Sequence, residues 1–411
     1  MIEITNRPGR VDRTDQMDRT PAPVLSSALR RGLVSRRGLL VGGGAAALLS
    51  ACDWFGSDRK PVTPTVDKSD TEKVVNWSNW PDYIDVGDNL GDYPTLDEFT
   101  KQTGIKVNYT ADYYDNEQFV ASVTPQLKAG VQLGRDVWCS TDWIMARLIR
   151  EGYLLPLRTS NIPNIKNLEP ALKDVPSDPG RKYSLPWQSG FTGIGYNPKA
   201  TGGKKIESVE QLYTDKKLKG KVTLLTDVGD TVGTTMLSLG IDPSTFTAAQ
   251  FGQAMDRLAQ VKESGQLKGF TGNEYISGLA SGEIAACLAY SGDMVQLKAD
   301  NPDLGFALPS IGHIVWSDNF VIPRHARHRT NAERLINFYY DPKVMAQVED
   351  WVNYIPPVVG SREVLLKSDP GVAKNDLIFP SAAVLAKSHV FRGFTAAEEK
   401  TLNAAFSKFI K

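Results

Sequence analysis

The sequence predicts an α/β fold of two lobes with hinge crossings and a helical C-terminal tail. Three observations carry that expectation. From Lys73 onward, apolar runs of strand length alternate with helical periodicities. Two longer extended runs, SLPWQSGFTGIGYN (184–197) and WSDNFVIP (316–323), flank the middle block. A chain of 411 residues has ample length for more than one core. Strands separated by helices imply βαβ units and a mostly parallel sheet. The long runs then read as the places where the chain enters and leaves the second lobe.

The elements follow in order. VVNW (74–77) reads as a strand, and 96–102 as a helix stopped at Gly104. IKVNY (105–109) is a strand, and 117–129 a helix that Pro125 kinks or splits. DVWC (136–139) is a strand, followed by a helix over 142–150 with Asp142 as a good N-cap and Ile144, Leu148 and Ile149 on one face. The middle repeats the theme with a strand GKVTLLTD (220–227), helices over 230–239, 248–263 and 273–280, a strand EIAACLAY (283–290) and a helix over 293–299. In the tail Ala332, Leu335, Ile336 and Tyr339 share a face, and 394–409 makes a closing helix. The expected domain division is 73–187 with 292–325 as the first lobe, and 188–291 with 326–411 as the second.

Ahead of the folded part, Ser35-Arg36-Arg37-Gly38-Leu39-Leu40 places paired arginines before an apolar run over 38–51. That run is too short to span a bilayer and has the length of a signal h-region. It ends Leu49-Ser50-Ala51-Cys52, small residues before a cysteine. The segment resembles a twin-arginine export signal joined to a bacterial lipoprotein box. That resemblance implies cleavage before Cys52 and acylation of Cys52, with 1–51 as signal peptide. Residues 53–71, rich in Asp, Ser, Thr, Pro and Lys, read as a flexible tether, so 52–72 links anchor to fold. Gly42-Gly43-Gly44 lacks the preceding strand and following Lys-Ser/Thr of a phosphate loop.

A hydrophobic share of 41% and a charged share of 23% place the chain among ordinary globular proteins. The signal holds eight basic and four acidic side chains, which leaves 39 basic against 43 acidic for the rest. A mildly acidic body gives no electrostatic case for nucleic acid. Cys139 and Cys287 each close a short apolar strand, a setting that fits either a disulfide or two buried thiols. The four histidines, His313, His325, His328 and His389, form no metal or catalytic motif, and no nucleophile elbow occurs. Neither an enzyme nor a resident cofactor or metal is expected.

NWSNWPDY, EFTKQTGIKV, RDVWCST, REGYLLPL, YSLPWQSGFTGIGYN, GKVTLLTD, YSGD, WSDNFVIP, LINFYYDPKV and NYIPPV occur in this order. Through them the chain, over about 74–410, resembles the extracytoplasmic polyamine-binding proteins of bacterial ABC importers, the spermidine/putrescine group. That resemblance implies a periplasmic-binding-protein fold, type II-like, whose lobes close on a linear diamine or polyamine and then dock on a membrane permease. It places Trp77, Ser78, Ser140, Tyr290, Asp293, Trp316, Asp318 and Tyr354 at the cleft. The sequence departs from the family's pattern at Asp142, where a tyrosine is frequent, and at Val228-Gly229-Asp230-Thr231, which retains one carboxylate, displaced.

The residues themselves point to a cation. An ammonium end needs carboxylates, because a desolvated charge without a counter-group is costly, and ring faces suit both methylenes and charge. Trp77 and Trp80 supply rings, and Asp293 and Asp318 the preferred anions. Each has a plainer alternative: Trp77 packing under a helix, Trp80 as wall, lid or core, Trp187 bracing the crossing, Asp293 capping its helix, Asp318 serving a turn. The alternative ligands are another cationic or zwitterionic amine in the same fold, or an anion at the amide donors of a helix start at 228–233, which Asp227 and Asp230 oppose. The expected product is a lipid-anchored monomer on the outer face of the cytoplasmic membrane, partnered by an ABC permease.

Overall fold

A single ten-stranded sheet connects the described residues, 65–89 and 91–411, of this computed structural model. The strands are β1 (Val74–Asn79), β2 (Lys106–Ala111), β3 (Val137–Thr141), β4 (Ser184–Tyr196), β5 (Val222–Leu225), β6 (Leu267–Thr271), β7 (Ala286–Tyr290), β8 (Gly305–Ala307), β9 (His313–Val321) and β10 (Ser388–His389). Their spatial order is β2-β1-β3-β9-β4-β7-β5-β6, with β8 beside β4 and β10 beside β9. The expected signal peptide, Cys52 and most of the expected tether lie outside the described residues.

β1 pairs in parallel with β2 and β3, and β5 in parallel with β6 and β7, so each half is a small doubly wound unit. β4 and β9 join the halves. They pair antiparallel from Ser184↔Val321 to Thr192↔Ile314. The far end of β9 pairs with β3, while the C-terminal part of β4 pairs with β7. All thirteen residues of β4 are buried, as its continuous apolar and glycine-rich sequence requires of a strand covered on both faces. These two strands are the crossings expected from 184–197 and 316–323.

Local chemistry sets the helices. Pro94–Thr103 starts on a proline and stops where Gly104 takes φ 72°, a left-handed C-cap. Ala248–Glu263 begins with a capping box of Thr247 and Gln250. Pro125 does not split Asn116–Ala129. The closing helix is interrupted: Ala396–Glu398 and Ala404–Phe409 flank a π-helical turn over Glu399–Asn403.

Two parts of the expected domain division are corrected. Helices Arg329–Tyr339 and Pro342–Val352 bury Leu335, Ile336, Tyr339, Met345 and Val348 against Val75, Trp77 and Phe99, so 326–358 belongs with the first lobe. Helix Ser291–Asp300 packs on β4, β7 and β8, and so belongs with the second lobe. Helical periodicity shows that a face is buried but not which sheet buries it. Cys139 on β3 and Cys287 on β7 are both buried free thiols, pushed up in pKa by burial.

Candidate ligand-binding cleft

Four carboxylates meet in one interior region, Asp318 from within β9 and the other three from just beyond the ends of β5 and β7. β9 carries Asp318, whose Oδ1 accepts from Thr141 Oγ1 at 2.6 Å and Oδ2 from Tyr83 OH at 2.9 Å. The loop after β5 carries Asp227, and the first turn of helix Val228–Ser238 carries Asp230. Asp227 Oδ1 caps that helix, accepting from Gly229 N at 2.8 Å and Asp230 N at 3.3 Å. Its other oxygen accepts from Asn116 Nδ2 at 3.1 Å and Trp143 Nε1 at 3.0 Å, both on the first lobe. Asp230 accepts from Thr192 Oγ1 and, at 3.1 Å, from Tyr290 OH. Asp293, in the first turn of Ser291–Asp300, accepts from Tyr275 OH, Asn273 Nδ2 and Tyr354 OH, each at 2.7 Å.

Aromatic rings connect these acids. Trp316 lies 5.4 Å from Tyr290, nearly perpendicular, and 5.6 Å from Tyr354. Tyr354 meets Tyr83 edge-on at 5.2 Å. Trp80 covers Tyr113 at 4.5 Å, and its indole N–H is buried without a hydrogen-bond partner. A pocket between the lobes is lined by Thr141 and Trp143 on one side and Asp227, Asp230, Trp316 and Phe391 on the other.

The charges nearest these four acids are carboxylates; the buried Arg181 stands one step away, donating to Asn319 Oδ1 at 2.8 Å and favouring the charged form of Asp142. Among the described residues no basic side chain pairs with Asp227, Asp230, Asp293 or Asp318. The charges acting on them are further carboxylates: Asp142 and Asp227 on Asp318, Asp227 and Asp318 on Asp230, Asp115 on Asp227, and Asp82 on Asp293. Burial pushes Asp318 up to about 7 against the hydrogen bonds it accepts. Burial likewise raises Asp293, Asp227 and Asp230, each helped by a neighbouring carboxylate. Desolvated anions that repel one another favour either protonation or an incoming cation.

Of the residues expected at the cleft, Tyr290, Asp293, Trp316, Asp318 and Tyr354 are brought together. Ser140 sits one residue before Thr141, fully buried, with its Oγ 2.8 Å from Trp138 Nε1 and 3.3 Å from Tyr113 OH. Trp80 stands beside Tyr113. Three expectations are corrected. Trp77 is 1% exposed and packs among Trp187, Phe320 and Tyr339 in the first-lobe core. Trp187 braces the crossing from within that core, its Nε1 donating to Tyr83 O at 3.2 Å. Ser78 accepts from Arg135 Nε at 2.7 Å, away from the four acids. Strand alternation explains the pair at β1: Val75 and Trp77 share the core face.

Sequence reasoning used Asp227 and Asp230 only as an argument against an anion and Tyr83 only as part of NWSNWPDY, and it did not place Tyr275 or Asn273 at the cleft. The signal was present, since Asp227 and Asp230 flank a strand-to-helix junction at the carboxyl end of β5, where open α/β sheets bind ligands. Asp142 is not the N-cap. Thr141 takes that position, and Asp142 Oδ1 accepts from Asn319 Nδ2 at 2.9 Å.

Two α/β lobes joined by crossing strands, with polar and aromatic side chains gathered between them, define a two-lobe solute-binding protein. The chain belongs to the bacterial extracellular solute-binding proteins, whose family model matches residues 95–378. It is 29% identical over 352 residues to spermidine/putrescine-binding periplasmic protein 1 of Haemophilus influenzae, covering 86% of this chain and 92% of that protein. It is 28% identical over 359 residues to the putrescine-binding periplasmic protein SpuD of Pseudomonas aeruginosa, covering 82% and 91%. The solved spermidine/putrescine ABC transporter substrate-binding protein PotD of Streptococcus pneumoniae shares the fold, with a TM-score of 0.65 at 24% identity over 83% of this chain and 100% of that one.

Proposed function

We propose that the protein captures a linear polyamine of the putrescine/spermidine class between its lobes and hands it, chemically unchanged, to an ABC permease. The observation that carries this reading is the set of four buried carboxylates, without a protein cation, interleaved with Tyr83, Tyr290, Trp316 and Tyr354. The names of the curated relatives support the same ligand class.

The energetics agree. A charge-assisted hydrogen bond to an ammonium contributes about 1.5–3 kcal/mol, and a dry ring face up to about 2 kcal/mol. Two acids and two or three rings therefore approach the ~8 kcal/mol of a micromolar site, before ordering costs are subtracted. The helix start at Val228 is a poor anion site, because Asp227 already occupies its amide donors.

The lipid anchor, the monomeric state and the place on the outer face of the cytoplasmic membrane belong to this proposal. The anchor and the location rest on the arginine pair and Cys52 in the sequence. No helix among the described residues is long and apolar enough to cross a membrane.

Thermal denaturation at pH 8 with a ligand panel tests the cargo. Putrescine, cadaverine and spermidine raise the melting temperature; sulfate, phosphate, neutral sugars and acidic amino acids leave it unchanged. A response confined to the anions would exclude a polyamine cleft.

A further inference from the structure

The C-terminal segment 391–411 touches both lobes in chemically different ways. On the second lobe its grip is largely aromatic. Phe391 stacks on Phe246 at 5.1 Å, Phe394 meets Phe251 edge-on at 5.9 Å, and Phe409 meets Phe270 at 5.7 Å. Arg392 lies over the Phe246 ring at 3.8 Å and donates to Phe246 O at 2.8 Å, and Lys262 Nζ donates to Phe409 O at 2.6 Å.

On the first lobe one ring contact, Phe394 edge-on to Trp143 at 6.4 Å, is joined by a polar seam. Arg147, on helix Asp142–Arg150, pairs with Glu399 at 2.9 Å and with Glu117 at 2.9 Å. Asn403 Nδ2 closes the ring by donating to Glu117 Oε1 at 2.6 Å. Glu399 and Asn403 bound the π-helical turn, a local widening of the kind that recurs at functional positions. The seam is incompletely bonded: Arg147 Nε, Glu399 Oε1 and Asn403 Oδ1 are buried without partners among the described residues. Each such group weakens the contact relative to an apolar one. Trp143, one turn before Arg147 on the same helix, donates to Asp227 across the cleft. The strap therefore holds the helix that forms one cleft wall.

We propose that residues 391–411 form a strap anchored on the second lobe, whose releasable seam to Arg147 and Glu117 sets how readily the cleft opens. Opening the lobes requires that seam and the Trp143–Phe394 edge contact to part, while the aromatic attachment to the second lobe stays whole. The proposal rests on the reading of this cleft as one that opens and closes, and not on the identity of the cargo.

Hydrogen exchange of the full-length protein without ligand tests it, read on peptides covering 141–143 and 227–230. Arg147→Ala removes the centre of the seam and speeds exchange there at least threefold. The double variant Glu117→Cys/Asn403→Cys, oxidised, ties the strap to the first lobe and slows exchange at least threefold, with reversal on reduction. Exchange at the wild-type rate in both variants, with both folded by circular dichroism, would overturn the strap. Because no amine is present, failure of the polyamine reading leaves this outcome interpretable. If polyamine does bind, the oxidised variant also releases it at least tenfold more slowly.

Discussion

Asp318 combines full burial, hydroxyl donors from Thr141 and Tyr83, and no counter-ion, so its charge is costly until a cation arrives. Asp318→Asn removes that charge and keeps the shape. At pH 8 the substitution should raise the melting temperature of the ligand-free protein, since a buried repulsive anion is gone. It should also weaken polyamine binding by the ~1.5–3 kcal/mol of a charge-assisted bond, about 10- to 150-fold. At pH 5, below the value of about 7 to which burial lifts this carboxyl, the ligand-free wild type and variant should melt alike. Calorimetric titration with melting curves at the two pH values decides it; equal affinities at pH 8 would remove Asp318 from the site. The same residue shows what could be read beforehand. WSDN marks a polar interruption within an apolar crossing, and that pattern survives folding. Trp77 offered an equally tempting ring, but its alternation with Val75 turned it into the core, a choice fixed by which face the helices of 326–352 cover.

Element by element, β4 supplies the surface on which the rings rest, and its glycines make that possible. A Cβ on Gly190 would come within 2.6 Å of Trp316 and 3.0 Å of Tyr354. Gly190→Ala should therefore displace the Trp316 ring, lower stability by about 1–3 kcal/mol through overpacking, and shift indole emission. Gly252→Ala, in the helix Ala248–Glu263 with nothing within 4 Å, should instead stabilise by about 0.5–1 kcal/mol. Chemical denaturation followed by fluorescence separates the two; a stabilised Gly190→Ala would show that the rings do not lean on β4. Elements with strong local signals were legible: Ala248–Glu263 and Asp142–Arg150 span the expected ranges, although Thr141 and not Asp142 caps the second. β6 was not, because LKGFT is only partly buried and carries Lys268 and Gly269 inside the strand. Pro342–Val352 was overlooked although Asp341 as N-cap and Pro342 at the first turn announce it. The lobe to which the tail returns was not legible, since no local pattern encodes a partner sheet.

The whole molecule should show a pH response built from these parts. A carboxyl whose folded pKa stands above its unfolded value near 3.9 binds more protons when folded, so its contribution to stability is full below about pH 4 and is lost as pH rises through the folded value. Asp318 sets that window at roughly 4 to 7, and Asp293, Asp227 and Asp230 shift in the same direction. Glu398 and Asp67, held down to about 2, are ionised in both states above pH 5 and add no slope there. His328, raised by Asp136 and Glu72 against its burial, loses its contribution as pH climbs past the ordinary imidazole value, again in the same sense. The ligand-free protein should therefore melt highest in mild acid and fall in stability up to about pH 7–8. A dication that binds the ionised acids must displace their protons, so its affinity should climb as pH rises from 5 to 8, by up to about tenfold per unit for each proton released. Melting curves across that range, with and without spermidine, would then diverge as pH increases. Parallel curves would mean that the acids bind no cation, and a ligand-free maximum at pH 8 would mean that they are not buried as charged neighbours at all.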